Sequence, residues 1–238
     1  MDTKSLGVST LDSRDMLILQ LTARHRLITN DVVRRLYCPA GQPNAAVKIT
    51  ARLARAGLLH KFPLIHPQVY FTLTEKACQH LGGGPYRSQP LGPQALPSEF
   101  AALLYCTCGP RYHERLSNGE VRASFPWFPD PSRHEIYCLD QPPSSQPILE
   151  WVRTDLGGPG HHVIRKSRRK LDRRLESHSF AGALDEGTFR IVFLTTTPEK
   201  AKALQDALAP DPWPAGALIH IAVIPQLFRL TVRYRNGS

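Results

Sequence analysis

The sequence predicts an α+β protein of two units, a helical N-terminal unit closed by a β-hairpin and a C-terminal α/β unit. Three observations predict it. A chain of 238 residues exceeds the usual size of one domain and falls short of three. The stretch at 81–97, LGGGPYRSQPLGPQALP, is rich in Gly and Pro, interrupts every period and reads as a linker, which gives units at 1–82 and 98–238 joined through 83–97. Before it, helical-period segments run into two short strand-like runs; after it, strands and helices interleave.

The N-terminal elements follow in order. Asp12 or Ser13 caps a first helix whose inward positions include Met16, Leu17, Leu19, Gln20 and Leu21. Leu27 and Ile28 lead to Thr29, an N-cap for a short second helix with Val32, Val33 and Leu36 on one face. A turn through Pro39, Gly41 and Pro43 follows. Asn44 caps a third helix, AAVKITARLARAG, which Gly57 ends at the C′ position. On it Ala46, Ile49, Leu53 and Ala56 recur at spacings of three and four and make a core stripe. Asn44, Lys48, Ala51, Arg52 and Arg55 take the opposite face. LLHKF and VYFTLT are strand runs joined by PLIHPQ, and Thr74 caps a last short helix, EKACQHL.

Three helices followed by a hairpin is the order of a winged helix-turn-helix domain. There the third helix docks its apolar side on the first two and offers long donors to a major groove wide enough to admit it. Arg52 and Arg55 have the fork to reach guanine edges or phosphates, Asn44 and Lys48 suit either, and Lys61 and His66 on the hairpin would lie near the backbone or minor groove. A solvated helix face carries such charges too, and for any single residue both readings stand.

Composition agrees with a globular, polyanion-binding protein. It is 42% hydrophobic and 21% charged, with a formal net charge of +10, and basic groups beside phosphates release condensed counterions. Cys38, Cys78, Cys106, Cys108 and Cys138 form no CxxC pair, so free thiols are expected rather than a structural zinc site. The start MDTKSLGVST has no apolar core and no apolar run approaches membrane length, so no signal peptide, no membrane span and a reducing, cytoplasmic, nucleoid-associated setting are expected.

The residues Asp15, Ile18, Leu21, Arg26, Leu27, Thr29, Val33 and Leu36, then Ala46, Arg52, Leu53, Arg55, Gly57, Leu58 and Leu59, then Tyr70, Leu73, Thr74, Ala77 and Leu81 form a pattern. It resembles the replication-relaxation family of bacterial plasmid and mobile-element proteins over about the first 80 residues. The resemblance implies a winged helix followed by a restriction-endonuclease-like domain.

The C-terminal unit reads as a helix (SEFAALLYC), strands (RYHERL, EVRASF, HEIYCL, PILEWV), a basic helix (HVIRKSRRKLDRRLES), a strand (FRIVFLTT), a helix (PEKAKALQDAL) and a strand (LIHIAVIP), with QPPSSQP and LGGPG as turns. That order matches a restriction-endonuclease-like, PD-(D/E)xK-like core. The resemblance places its acids at Glu114, Asp130 in FPDP and Glu150 in LEW, with Asp130 and Glu150 as metal ligands. Such carboxylates hold Mg²⁺ while a lysine two residues past the second polarises water. Here that place is Val152, Arg153 points to the other face, Asp155 lies three further on, and only Lys166 on the helix offers an amine. A catalytically silent scaffold is therefore expected, with no cofactor and Mg²⁺ only if the site were active. The bland readings are a loop cap for Asp130 and a strand-end acid for Glu150.

The run Arg165 to Arg174 holds seven basic residues and one acid above a narrow stripe of Ile164, Leu171 and Leu175. Its density suggests a second DNA-backbone contact through Arg168, Arg169, Lys170, Arg173 and Arg174, although a solvated face is the ordinary reading of a charge run. His161 and His162 have no third ligand at suitable spacing. The expected function is a double-stranded DNA-binding regulator of transcription or replication of a bacterial plasmid or mobile element. It would act as a homodimer, with a replication or mobilisation protein as a further partner. The alternatives are a metal-dependent endonuclease targeted by its winged helix, and an interaction protein whose basic faces meet an acidic partner.

Overall fold

The computed structural model describes residues 11–38, 42, 44–82, 88–143, 145–210 and 213–235. The chain forms two compact units, Met1–Gly92 and Pro93–Ser238. Among the described residues no helix is long and apolar enough to cross a membrane.

In the first unit α1 spans Ser13–His25, capped by Asp12, whose carboxylate accepts the Asp15 amide at 2.7 Å. Its buried stripe is Asp15, Ile18, Leu19, Thr22 and His25, with Leu21 beside it. Leu17 and Gln20 face outward instead, because the three- and four-residue spacing starts at Asp15 and polar residues hold three of its places. After β1 (Ile28–Thr29), Thr29 caps α2 (Asn30–Tyr37) through the Val32 amide. Val32 and Val33 are buried, but Leu36, expected on the same face, is exposed. The expected turn at Pro39, Gly41 and Pro43 lies outside the described residues.

Helix α3 (Ala45–Arg55) buries Ala46, Ile49, Thr50 and Leu53. Asn44 stands at its N-cap but makes no capping hydrogen bond, and Ala56 at the C-cap is only half-buried. The Thr50 hydroxyl donates to Asn30 Oδ1 at 2.8 Å and ties α3 to α2. Gly57, at φ +71°, turns the chain into β2 (Leu59–Pro63), which pairs antiparallel with β3 (Val69–Leu73). β1 pairs with the other edge of β3, so the sheet order is β1-β3-β2. The Thr74 hydroxyl donates to the Gly57 carbonyl at 2.7 Å and also caps α4 (Glu75–His80), so one side chain locks helix, hairpin and exit.

The second unit opens with α5 (Ala95–Cys108), which takes Ala95, Leu96 and Pro97 from the expected linker. Then come β4 (Glu114–Leu116), α6 (Asn118–Ser124), β5 (Ile136–Asp140), β6 (Ile148–Thr154), α7 (Gly160–Arg174), α8 (His178–Asp185), β7 (Phe189–Thr195), α9 (Pro198–Leu208), β8 (Leu218–Val223) and α10 (Phe228–Arg235). The strands form one mixed sheet in the order β4-β5-β6-β7-β8, antiparallel up to β6 and parallel from β6 onward.

EVRASF is helical, not the expected strand. Ser117 and Glu120 form a capping box, each side chain bonding the other's backbone amide, and this local stop-and-start outweighs the alternation of Val121, Ala123 and Phe125. One face of the sheet carries Tyr137, Leu149, Trp151, Phe189, Ile191 and Phe193, packed with Ile164 and Leu171 of α7, Phe180 of α8 and Leu204 of α9. Side chains alternate along a strand, so Cys138, Glu150 and Arg190 belong to the opposite face. There α5 lies, with Cys106 Sγ 3.4 Å from Cys138 Sγ.

Candidate functional site

Three groups of sequence-predicted residues have separate fates. On α3, Lys48 and Arg55 are exposed, as are Lys61 and His66 on the hairpin and Asn44 at the helix start. Among the described residues Lys48, Lys61 and His66 make no ion pair. Arg52 differs. Its guanidinium lies 2.6 Å from Oδ1 of Asp15, which is fully buried, while the Arg52 side chain keeps 46% of its exposure. The hydrogen bond to Asp15 raises the Arg52 pKa further, so this arginine clamps α3 to α1 and presents only part of itself outward.

The basic helix α7 is also partly spent inward. Lys170 Nζ lies 2.8 Å and an Arg174 nitrogen 2.5 Å from the carboxylate of Glu135. Arg174 also donates to the Tyr137 hydroxyl at 3.2 Å and stacks its guanidinium over Trp151 and Phe128. Burial alone would raise the Glu135 pKa, but the Arg174 charge and the Lys170 and Tyr137 hydrogen bonds hold it below the ordinary carboxylate range. Arg168 pairs with Asp172 at 2.8 Å. Of the five residues expected to meet DNA, Lys170 and Arg174 therefore anchor the helix, and Arg169 and Arg173 remain exposed together with Arg165 and Lys166.

The acids expected around a metal do not assemble. Asp130 is in a loop at φ +34°, its side chain 95% exposed and 3.4 Å from Arg122. Glu114 shares its strand face with Leu116, which belongs to the core on the α7 side. Lys166 is exposed on α7, the helix that covers that same core face, so it offers no amine to Glu150. His161 and His162 stack edge-on to each other and are exposed; among the described residues no third ligand joins them.

Glu150 does occupy a site, with residues that the sequence reading passed over. Strand register puts Cys138, Glu150 and Arg190 in one row across β5, β6 and β7, and Asp140 lies two residues along β5 on the same face. Arg190 Nη1 sits 2.8 Å from Asp140 Oδ2 and 3.0 Å from Glu150 Oε1. The Tyr105 hydroxyl of α5 donates to Glu150 at 2.9 Å, and its ring stacks on His113 with centroids 4.4 Å apart. His113 Nδ1 is 3.0 Å from Glu150 Oε2 and 4.0 Å from Asp140 Oδ1. Arg111, more exposed, reaches within 3.9 Å of Asp140. A second buried pair, Arg115 with Glu99, closes the α5 side.

The electrostatics are those of a charge network under a helix. Burial, and then the Glu150 charge, push the Tyr105 phenol far up, so it stays protonated and donates. Burial would lower the Arg190 pKa, but Asp140 and Glu150 reverse that and raise it. His220 on β8 is held below its ordinary value by burial and by the nearby Arg190. Among the described residues no lysine amine pairs with Glu150, and Glu150 itself is fully buried. The arrangement can hold a cation or order the sheet. Neither a protein family, nor a curated protein, nor a solved structure matches this chain.

Proposed function

We propose that the chain is a double-stranded DNA-binding regulator whose first unit is a winged helix-turn-helix. The observation that carries the reading is the two-sided α3, with Ala46, Ile49 and Leu53 buried on one side and Lys48, Arg55 and the half-exposed Arg52 on the other. The hairpin that follows at once, with Lys61 and His66 exposed, and the net charge of +10 support it. The resemblance of about the first 80 residues to the replication-relaxation family supports a role at a plasmid or mobile-element locus. One such module buries too little surface for specific affinity, which favours a homodimer on an inverted repeat. The second unit, a helix, an antiparallel meander and a βαβ crossover, is read as a nuclease-like scaffold that lacks catalysis because Val152 stands where the lysine belongs.

Footprinting on DNA flanking the gene, with Mg²⁺ present, tests the reading. Protection of a defined sequence is expected, with affinity falling steeply as salt rises. Arg55→Ala should lower the slope of log K against log salt by about 1. Binding that ignores both salt and Arg55→Ala would refute the assignment of α3. Cleavage of supercoiled plasmid that Asp140→Asn and Glu150→Gln abolish would replace the silent scaffold with an endonuclease.

A further inference from the structure

We propose that His113, Asp140 and Glu150 form a binding site for one transition-metal dication of the Co²⁺ or Zn²⁺ class. The three side chains come from separate places, His113 just before β4, Asp140 at the end of β5 and Glu150 in β6. Each can bring one donor atom within 4.8 Å of the other two, and all three residues are buried.

The orientation of the donors points to a ligand. His113 is only 7% exposed, and its Nδ1 has no hydrogen-bond partner although Glu150 Oε2 is 3.0 Å away. Arg190 engages the far oxygens, Asp140 Oδ2 and Glu150 Oε1. Asp140 Oδ1, Glu150 Oε2 and His113 Nδ1 are therefore turned toward one another on the near side, where Glu150 Oε2 also accepts from the Tyr105 hydroxyl at 3.0 Å. Arg190 then acts as an outer-shell partner that fixes both carboxylates, and the stacked Tyr105 ring fixes the imidazole plane. Arg190 and, from the more exposed side, Arg111 at 3.9 Å from Asp140 Oδ1 offset the two carboxylates before any ion enters, so the donor set rather than net charge defines the site. The imidazole nitrogen selects the class, since Mg²⁺ and Ca²⁺ take all-oxygen sets while imidazole suits the later first-row ions.

Chelator-treated full-length protein, titrated with Co²⁺ and separately with Mg²⁺ by calorimetry, tests this. One Co²⁺ per chain is expected, bound far more tightly than Mg²⁺. His113→Gln, Asp140→Asn and Glu150→Gln are near-isosteric, and each should weaken Co²⁺ binding by more than about tenfold. Asp130→Asn should leave binding unchanged. X-ray absorption on the wild-type Co²⁺ complex gives a reading that needs no variant: one imidazole among oxygen ligands supports the site, and sulfur ligands overturn it. Absence of 1:1 binding, binding unaffected in those of the three variants that retain the wild-type far-UV circular dichroism spectrum, or equal affinity for Mg²⁺ would also overturn it.

Discussion

Removing the Arg52 guanidinium strands a charge. Asp15 is fully buried, its Oδ1 is held by Arg52 at 2.6 Å, and its Oδ2 has no hydrogen-bond partner. Breaking a fully buried ion pair costs about 3–5 kcal/mol, because the remaining charge has neither water nor partner. The Arg52 side chain is 46% exposed, so solvent already screens the pair and the loss must be discounted. Arg52→Ala is expected to destabilise the first unit by about 2 kcal/mol, roughly thirtyfold in its folding constant and about 10 °C in its midpoint. All three tryptophans, Trp127, Trp151 and Trp213, lie in the second unit. Thermal melts read by tryptophan fluorescence should therefore be unchanged, while far-UV circular dichroism shows an earlier transition. Adding Asp15→Asn removes the stranded charge and should recover at least half of the loss. A cost below about 0.5 kcal/mol, or a second substitution that only adds to the damage, would refute the clamp.

Two further predictions concern the folded scaffold. Glu135 has a folded pKa depressed below its ordinary 4.5, chiefly by Arg174 once burial is overcome, so its stabilisation is full above that pH and is lost as pH falls through the depressed folded value. Urea midpoints followed by tryptophan fluorescence should fall with acidification below pH 4.5, and Glu135→Gln should flatten that fall; parallel profiles would contradict the network. The two glycines separate conformational from steric cost. At Gly216, φ +79°, an added Cβ would meet the Leu184 carbonyl oxygen at 2.4 Å, whereas at Gly57, φ +71°, it meets nothing within 4 Å. Gly57→Ala should cost about 1 kcal/mol and Gly216→Ala more than about 3 kcal/mol, and equal melting shifts in the two units would refute the difference.

Local signals were the legible part of the fold. Asp12, Thr29 and Thr74 cap helices as their hydroxyl or carboxylate chemistry demands, and Gly57 closes α3 in the left-handed conformation. Helical spacing also found the buried side of α3. It misplaces Leu17 and Leu36 because apolar identity does not by itself fix inward direction. In α1 the inward places belong to Asp15, Thr22 and His25 as well as to aliphatic residues. A buried Asp15 is stable only with a cation, and its partner stands 37 residues away in sequence, on a helix face assigned outward. Nothing local in either segment reports the other.

The site in the second unit was half legible, and the missing half follows from strand parity. The sequence marks Glu150 as an acid at the end of an apolar strand, whereas it is the third residue of β6 and buried. The acids that the resemblance sets beside it, Glu114 and Asp130, match by residue type and by the FPDP turn, and neither feature reports the face a side chain reaches. In the antiparallel β5–β6 pair, Cys138 opposes Glu150, so only residues 136, 138 and 140 share its face, and Asp140 is the acid among them. The same parity sends Glu114 away and brings Arg115 inward, with His113 on the same side just before the strand. Arg190 required more than parity, because it joins the row only through the parallel pairing of β6 with β7 across a connection of two helices. A buried carboxylate in a sheet thus names its neighbours once strand order is known, and strand order is the one quantity that composition, capping and periodicity do not carry.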